Sequence, residues 1–281
     1  MKQSPVREAL AGAVARLADA GIDSARLDAR VLLAYALGVP ANVPLAAADI
    51  DRKQLAVFDA FVTCRAAREP LAYITGVKEF FSLDFEVGPG VLIPRPESEI
   101  LIEEALRDFP DRDAALNVLD LGTGSGCLVI TFLAHYRHAR GLGVDASAEA
   151  LAWAARNVAR HGLSQRCTLA RGDWNAHGAF DVILANPPYL TDEEFAHAAP
   201  EISRYEPESA FVSGQDGLAS YRALAPVVAG GLKPAGLVFV EIGAGQTDAV
   251  AGIFGDSGLE LRRVAPDLSG ISRCIIAGRR S

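Results

Sequence analysis

Apolar residues recur at helical spacing through the first quarter of the chain. Val6, Leu10, Val14 and Leu17 keep one face, and Gly21 stands where a left-handed glycine closes a helix. Ser24 is placed to cap a second helix that presents Leu27, Val31, Leu32 and Tyr35 and stops near Gly38, and Asp51 precedes a third with Leu55, Phe58 and Val62. Residues 1–75 therefore read as a small helical bundle. From Glu79 to Ile93 the period changes to two, with Phe81, Leu83, Phe85 and Val87 on one side and Gly88-Pro89-Gly90 as the turn. This predicts a β-hairpin and makes residues 76–95 a linker.

Residues 96–281 alternate strand-like apolar runs with helical patterns. The runs are Asn117 to Leu121, Gly141 to Asp145, Cys167 to Arg171, Phe180 to Ala185 and Gly236 to Glu241. Such alternation indicates an α/β fold, a mostly parallel sheet covered on both faces. Two last runs, Leu259 to Ala265 and Arg273 to Ala277, are joined by a short loop, which suits an antiparallel pair at one edge of a seven-stranded sheet.

The chain has 281 residues, half of them hydrophobic, enough for one large domain and a smaller one with its own core. No uninterrupted apolar run of about 20 residues occurs, and Lys2, Arg7 and Glu8 break any signal-like start, so a cytoplasmic protein without a membrane partner is expected. Cys64, Cys127, Cys167 and Cys274 lie far apart and read as buried free thiols. Histidines 135, 138, 161, 177 and 197 form no triad or ligand pattern, and no metal is expected. The net charge is −8; residues 1–95 carry 11 basic and 11 acidic side chains, so the excess lies wholly in the larger part. A catalytic region of that sign repels a phosphate backbone, which weighs against nucleic acid as the direct substrate.

Val118-Leu119-Asp120-Leu121 runs into Gly122-Thr123-Gly124-Ser125-Gly126, a strand entering a glycine-rich turn that opens a helix. Glycines let a nucleotide-like cofactor approach the backbone. A dinucleotide fingerprint asks for a further glycine at 127, where Cys127 stands, and this favours S-adenosylmethionine over NAD. Asp145, ending the next strand, can accept both ribose hydroxyls, and Asp173-Trp174 can offer an acceptor for the adenine amine and an aromatic wall. Singly, these residues also fit a turn, a helix cap and a core tryptophan.

The strand Asp181 to Ala185 delivers Asn186-Pro187-Pro188-Tyr189 to the carboxyl end of the sheet. An amide or exocyclic aromatic amine is a poor nucleophile because its lone pair is delocalised. The Asn186 side-chain oxygen and the Pro187 carbonyl can take both N–H bonds of such an NH₂ and aim its lone pair at a methyl donor. Prolines stiffen the loop and Tyr189 can pack on the planar group. A plain strand-ending turn is the alternative.

With these features the chain resembles the class I, Rossmann-like methyltransferases and, within them, the HemK/PrmC family of protein-glutamine methyltransferases. The likeness spans nearly the whole chain and includes Glu69 to Gly76, Leu92-Ile93-Pro94-Arg95-Pro96-Glu97-Ser98-Glu99, Asp216-Gly217-Leu218 with Tyr221-Arg222, and Glu241-Ile242-Gly243. The family often has Thr at Ser98 and Ser at Ala185; neither position carries an assigned chemical role. The resemblance implies methylation of the glutamine in the Gly-Gly-Gln loop of peptide chain release factors, with the helical N-terminal part holding that protein. It implies cofactor contacts from Gly122 to Gly126, Asp145, Trp174 and Asn186, and substrate contacts from Asn186 to Tyr189. Arg95 and Glu97 are open between an ion pair bracing the linker and a share in the pocket. Rival readings are an amino methyltransferase acting on a nucleic-acid base, a glutamine methyltransferase acting on a ribosomal protein, and a silent cofactor-binding scaffold.

Overall fold

The computed structural model describes residues 5–40, 43–45, 49–174 and 178–280. In chain order it has helices α1 (Pro5–Asp19), α2 (Ala25–Leu37), α3 (Arg52–Ala66) and α4 (Leu71–Thr75), then strands β1 (Val77–Phe80) and β2 (Leu83–Glu86). There follow α5 (Glu99–Asp108), β3 (Asn117–Leu121), α6 (Cys127–His135), β4 (Arg140–Asp145), α7 (Ala148–Arg160), β5 (Cys167–Arg171) and β6 (Phe180–Ala185). Last come α8 (Asp192–Ala196), α9 (Pro200–Tyr205), α10 (Ala219–Gly231), β7 (Leu232–Glu241), α11 (Thr247–Asp256), β8 (Leu259–Pro266) and β9 (Ser272–Arg279). Two compact units result: Met1–Val77 with Ala199–Tyr205, and Lys78–Ala198 with Glu206–Ser281. Among the described residues no helix is long and apolar enough to cross a membrane.

The helical unit packs Val6, Leu17, Leu32, Leu33, Phe58 and Val62 into one core. Asp51 caps α3 through a reciprocal box with Gln54, and Gly38 ends α2 at φ +68°. The face expected for α2 is half right: Leu32 is buried and Val31 half-buried, but Leu27 and Tyr35 are 61% and 49% exposed, while Ala25, Asp28, Ala29 and Leu33 turn inward beside Leu32. Small alanines let the helices approach closely, and buried Asp28 is balanced by Arg65 at 2.7 Å. Ser24 makes no capping bond; its hydroxyl goes to the Asp28 side chain. Leu55 is likewise exposed. From α9, Glu201 reaches Arg65 at 2.9 Å and Arg68 at 2.8 Å, so this short helix belongs with the bundle despite lying 136 and 133 residues further along the chain than these partners.

The second unit is a seven-stranded sheet in the order β5-β4-β3-β6-β7-β9-β8. The first five strands are parallel, and β9 runs antiparallel between β7 and β8. One face buries Val118, Val182, Leu184 and Phe239 with Phe132 and Leu101; the other buries Leu119, Ile183, Val238 and Val240 with Leu224 and Phe254. Two covered faces explain the unbroken apolar runs. Strand order reverses at β3, between β4 and β6, which opens a crevice at the carboxyl ends.

The hairpin turns earlier than expected, at Phe81-Ser82, where both φ values are positive and the Phe81 and Ser82 N–H groups donate to Glu99 and Glu79. Gly88-Pro89-Gly90 instead ends β2 and lies against α7: a Cβ on Gly88 would stand 2.4 Å from the Trp153 ring, and Trp153 Nε1 donates to Pro89 O at 3.1 Å. The segment read as a linker is thereby packed into the larger unit.

Candidate active site

Parallel register aligns the functional positions. Leu121 pairs with Val144 and Ala185, and Ala185 with Val240, so Gly122, Asp145, Asn186 and Glu241 each follow a paired residue at one level of the sheet edge. A pocket of about 1020 Å³, open mouth included, lies there, lined among others by Gly122 to Ser125, Asp145, Asp173, Trp174, Asn186 and Pro188. A second cavity of about 290 Å³, open mouth included, is lined by Leu92, Arg95, Asn186, Tyr189, Leu190, Ala210, Phe211 and Glu241. Asn186 borders both.

The glycine loop is held by backbone and carboxylates. Gly122 N and Thr123 N both donate to Val144 O at 2.9 Å, and Gly122 and Gly124 take φ +72° and +55°. Asp145 accepts from Gly124 N and Ser147 N, each at 2.8 Å, which fixes its carboxylate at the pocket wall. Asp120, quoted above without a role, is wholly buried and accepts from Thr123 Oγ1 at 2.6 Å and Val129 N at 3.2 Å. Burial pushes its carboxyl up to about 7. Trp174 adopts φ +52° and sets its ring within 4 Å of where a Gly122 Cβ would be. Gly126 departs from expectation. It lines neither cavity and instead starts α6 at φ +82°, where a Cβ would stand 2.9 Å from Ile130 Cδ1 and 3.5 Å from Ala154, so its task is close helix packing.

At the other end, Asn186 Nδ2 donates to Ser98 Oγ at 2.9 Å, Ser98 Oγ donates to Glu241 Oε2, and Tyr189 OH donates to Glu241 Oε1 at 3.3 Å. Glu241 is 1% exposed, and burial, opposed by these hydrogen bonds, pushes its carboxyl up to about 7. Burial and the neighbouring Glu241 hold the Tyr189 phenol far above its ordinary value, so it remains a donor. Gln246 Nε2 donates to Tyr189 O at 3.0 Å, and Tyr221 OH to Glu241 O at 3.1 Å. Pro187 is buried and lines neither cavity.

The ion pair considered between Arg95 and Glu97 is replaced by another. Arg95 pairs with Glu206, 6% exposed, whose second oxygen accepts from Ile93 N at 2.9 Å, while Glu97 is exposed. Glu206 belongs to none of the sequence motifs, and nothing beside it in the chain points to Arg95. Cys64 is exposed rather than buried; Cys127 opens α6 beside the pocket, and burial pushes its thiol up to about 12. His177 lies outside the described residues.

Residues 8–76 match the family profile described as PrmC N-terminal domain, and residues 97–203 that of the methyltransferase small domain. The release factor glutamine methyltransferase of Cereibacter sphaeroides is 44% identical over 96% of this chain and 97% of its own length. That of Caulobacter vibrioides is 41% identical over 93% and 92%. The 16S rRNA N2 G1207 methyltransferase of T. thermophilus shares the fold, with a TM-score of 0.53 and 19% identity over 73% of this chain and 50% of that one. A glycine loop, an Asn-Pro-Pro-Tyr end and full-length likeness to such enzymes agree: the chain belongs to the release factor glutamine methyltransferase family.

Proposed function

We propose that the protein transfers the methyl group of S-adenosylmethionine to the side-chain nitrogen of a glutamine, the one in the Gly-Gly-Gln loop of a peptide chain release factor. The reading rests on one observation, that Asn186 borders both the larger glycine-lined pocket and the smaller second cavity. A cofactor in the first and a slender side chain in the second would meet at its amide. The larger pocket fits the cofactor: the glycine turn leaves open the space before Trp174 that a Cβ on Gly122 would enter, and the Asp145 carboxylate stands on the wall. When bound, S-adenosylmethionine supplies an electrophilic methyl on sulfur.

In this reading Gly122, Thr123, Gly124 and Ser125 cradle the cofactor, Asp145 takes the ribose hydroxyls, Asp173 accepts from the adenine amine and Trp174 covers the ring. Asn186 Oδ1 accepts an N–H bond of the glutamine amide and turns its lone pair towards the methyl carbon, while Pro187, which lines neither cavity, is left without the acceptor role expected of its carbonyl. As the nitrogen–carbon bond forms, the carbon–sulfur bond breaks with its electrons on sulfur, and one N–H proton leaves to solvent. Pro188 stiffens the loop, and Tyr189 packs on the amide plane. The helical unit, with Leu27, Tyr35 and Leu55 exposed, supplies apolar surface for holding a protein in the cytoplasm.

The test is to incubate the enzyme and labelled cofactor separately with a release factor, the same factor with its Gly-Gly-Gln glutamine replaced, a ribosomal protein fraction, and nucleic acid. Label is expected on the intact release factor alone. Label on nucleic acid or ribosomal protein alone, or on the glutamine-replaced factor, overturns the assignment.

A further inference from the structure

Which end of the Asn186 amide faces the substrate decides whether that residue can accept an N–H at all. Rotating the amide by half a turn exchanges an acceptor for a donor at nearly the same position, so something must select one state. The selection is found behind the residue. Glu241 is buried, and its ionised carboxylate can only accept; Ser98 and Tyr189 supply its two hydroxyl donors. A serine hydroxyl has one proton. With that proton committed to Glu241, Ser98 Oγ has only lone pairs left for Asn186, so the group facing it at 2.9 Å must be the NH₂. Oδ1 then points away from Ser98, and the choice follows from counting protons.

We infer that Ser98 and Glu241 are positioning residues that hold the Asn186 amide with its oxygen towards the acceptor nitrogen of the substrate. This rests on the role proposed for Asn186. Neither residue touches the reacting atoms through this relay: Glu241 orients Ser98, and Ser98 orients Asn186. Glu241 also takes the Tyr189 hydroxyl, so one carboxylate sets two residues of the tetrapeptide. Without the relay the amide samples both rotations, and the flipped one sets an NH₂ against an N–H donor. Thr at position 98 would keep the hydroxyl, whereas Ala would not.

Four variants test the relay: Ser98→Ala, Ser98→Thr, Glu241→Gln and Asn186→Ala, with Ser98→Ala also made on the Asn186→Ala background. The measurements are single-turnover and steady-state methylation of a release factor, cofactor affinity by calorimetry, and melting temperature. Ser98→Ala is expected to lower kcat about 10-fold to 100-fold, with KM and cofactor affinity within about 2-fold, the pattern of an interaction made chiefly in the transition state. Ser98→Thr should restore the rate to within about 3-fold of the original. On the Asn186→Ala background Ser98→Ala should cost nothing further, because a residue acting through another has no effect once that one is gone. Unchanged kcat in Ser98→Ala, loss confined to KM or cofactor affinity, failure of Ser98→Thr to restore the rate, or a full second loss in the double variant overturns the relay. Glu241→Gln should slow kcat in the same range; should it fail to fold, the smaller Ser98→Ala change still decides. An unmodified enzyme inactive on release factors defeats the functional assignment instead, an outcome distinct from all of these.

Discussion

The two ends of the pocket are built by different means. At the end proposed for the cofactor the parts are close in sequence and mainly backbone: Gly122 N and Thr123 N on Val144 O, Gly124 N and Ser147 N on Asp145. At the end proposed for the acceptor they are side chains drawn from across the chain, Asn186 to Ser98 over 88 residues and Ser98 to Glu241 over 143. Backbone amides have a fixed direction once the strand and turn form, so the cofactor end needs few further supports. A side-chain amide has a free torsion, and the acceptor end must fix it with a buried chain of partners.

The largest effect is expected where that torsion matters. Asn186→Ala should lower turnover by roughly 10²-fold to 10³-fold while release-factor binding, sustained by remote contacts, changes little. Asn186→Asp, which keeps an acceptor oxygen but adds charge, should remain weak on glutamine. Near wild-type turnover in Asn186→Ala would place the chemistry elsewhere.

At the opposite end the loss should appear in binding instead. Asp145→Ala is expected to weaken S-adenosylmethionine by roughly 1.5 to 3 kcal/mol, the range for lost hydrogen bonds to a charged group, with folding retained. Calorimetry showing unchanged affinity would leave Asp145 as a brace for Gly124 and Ser147 alone.

A smaller effect should follow pH, with opposite signs for stability and activity. Burial raises the carboxyls of Asp120 and Glu241 to about 7, above their unfolded values. The folded state thus holds protons that the unfolded chain releases, and this stabilisation is full below the unfolded values and lost as pH rises through about 7. The melting temperature should fall by a few degrees from pH 5 to 8. Turnover should rise over the same range, because only ionised Glu241 commits the Ser98 proton. Around Glu241 stand Tyr189, Tyr221, Arg273, Cys274, Cys127 and Glu97, of which Arg273 favours the ionised form and Glu97 opposes it. Glu241→Gln should remove that limb of the activity profile; a limb that persists unchanged would assign it to another group.

This contrast also explains what was legible beforehand. Strands buried on both faces, the glycine loop and the tetrapeptide are local patterns, and they mark the sheet and part of the pocket wall. Ser98 looked like an inert variation because its meaning lies in Glu241, far away in sequence. Glu206 is invisible for the same reason, since nothing near it predicts Arg95. On α2, the large side chains Leu27 and Tyr35 suggest the inward face, whereas the helix buries the alanines that permit close approach. In the hairpin, Gly-Pro-Gly looked like the obvious turn, but its glycines serve the approach to Trp153 and the reversal falls on Phe81-Ser82.

The placement of α9 bears on how such enzymes can be recombined. The chain passes from one unit to the other three times, after Val77, after Ala198 and after Tyr205. A chimera made by a single crossover near residue 77 would therefore join a foreign bundle to this chain's α9, leaving Glu201 to face whatever replaced Arg65 and Arg68. A working exchange of recognition parts between relatives has to carry Ala199–Tyr205 along as a second insert, so the gene is divisible into cassettes only by cuts at all three crossings.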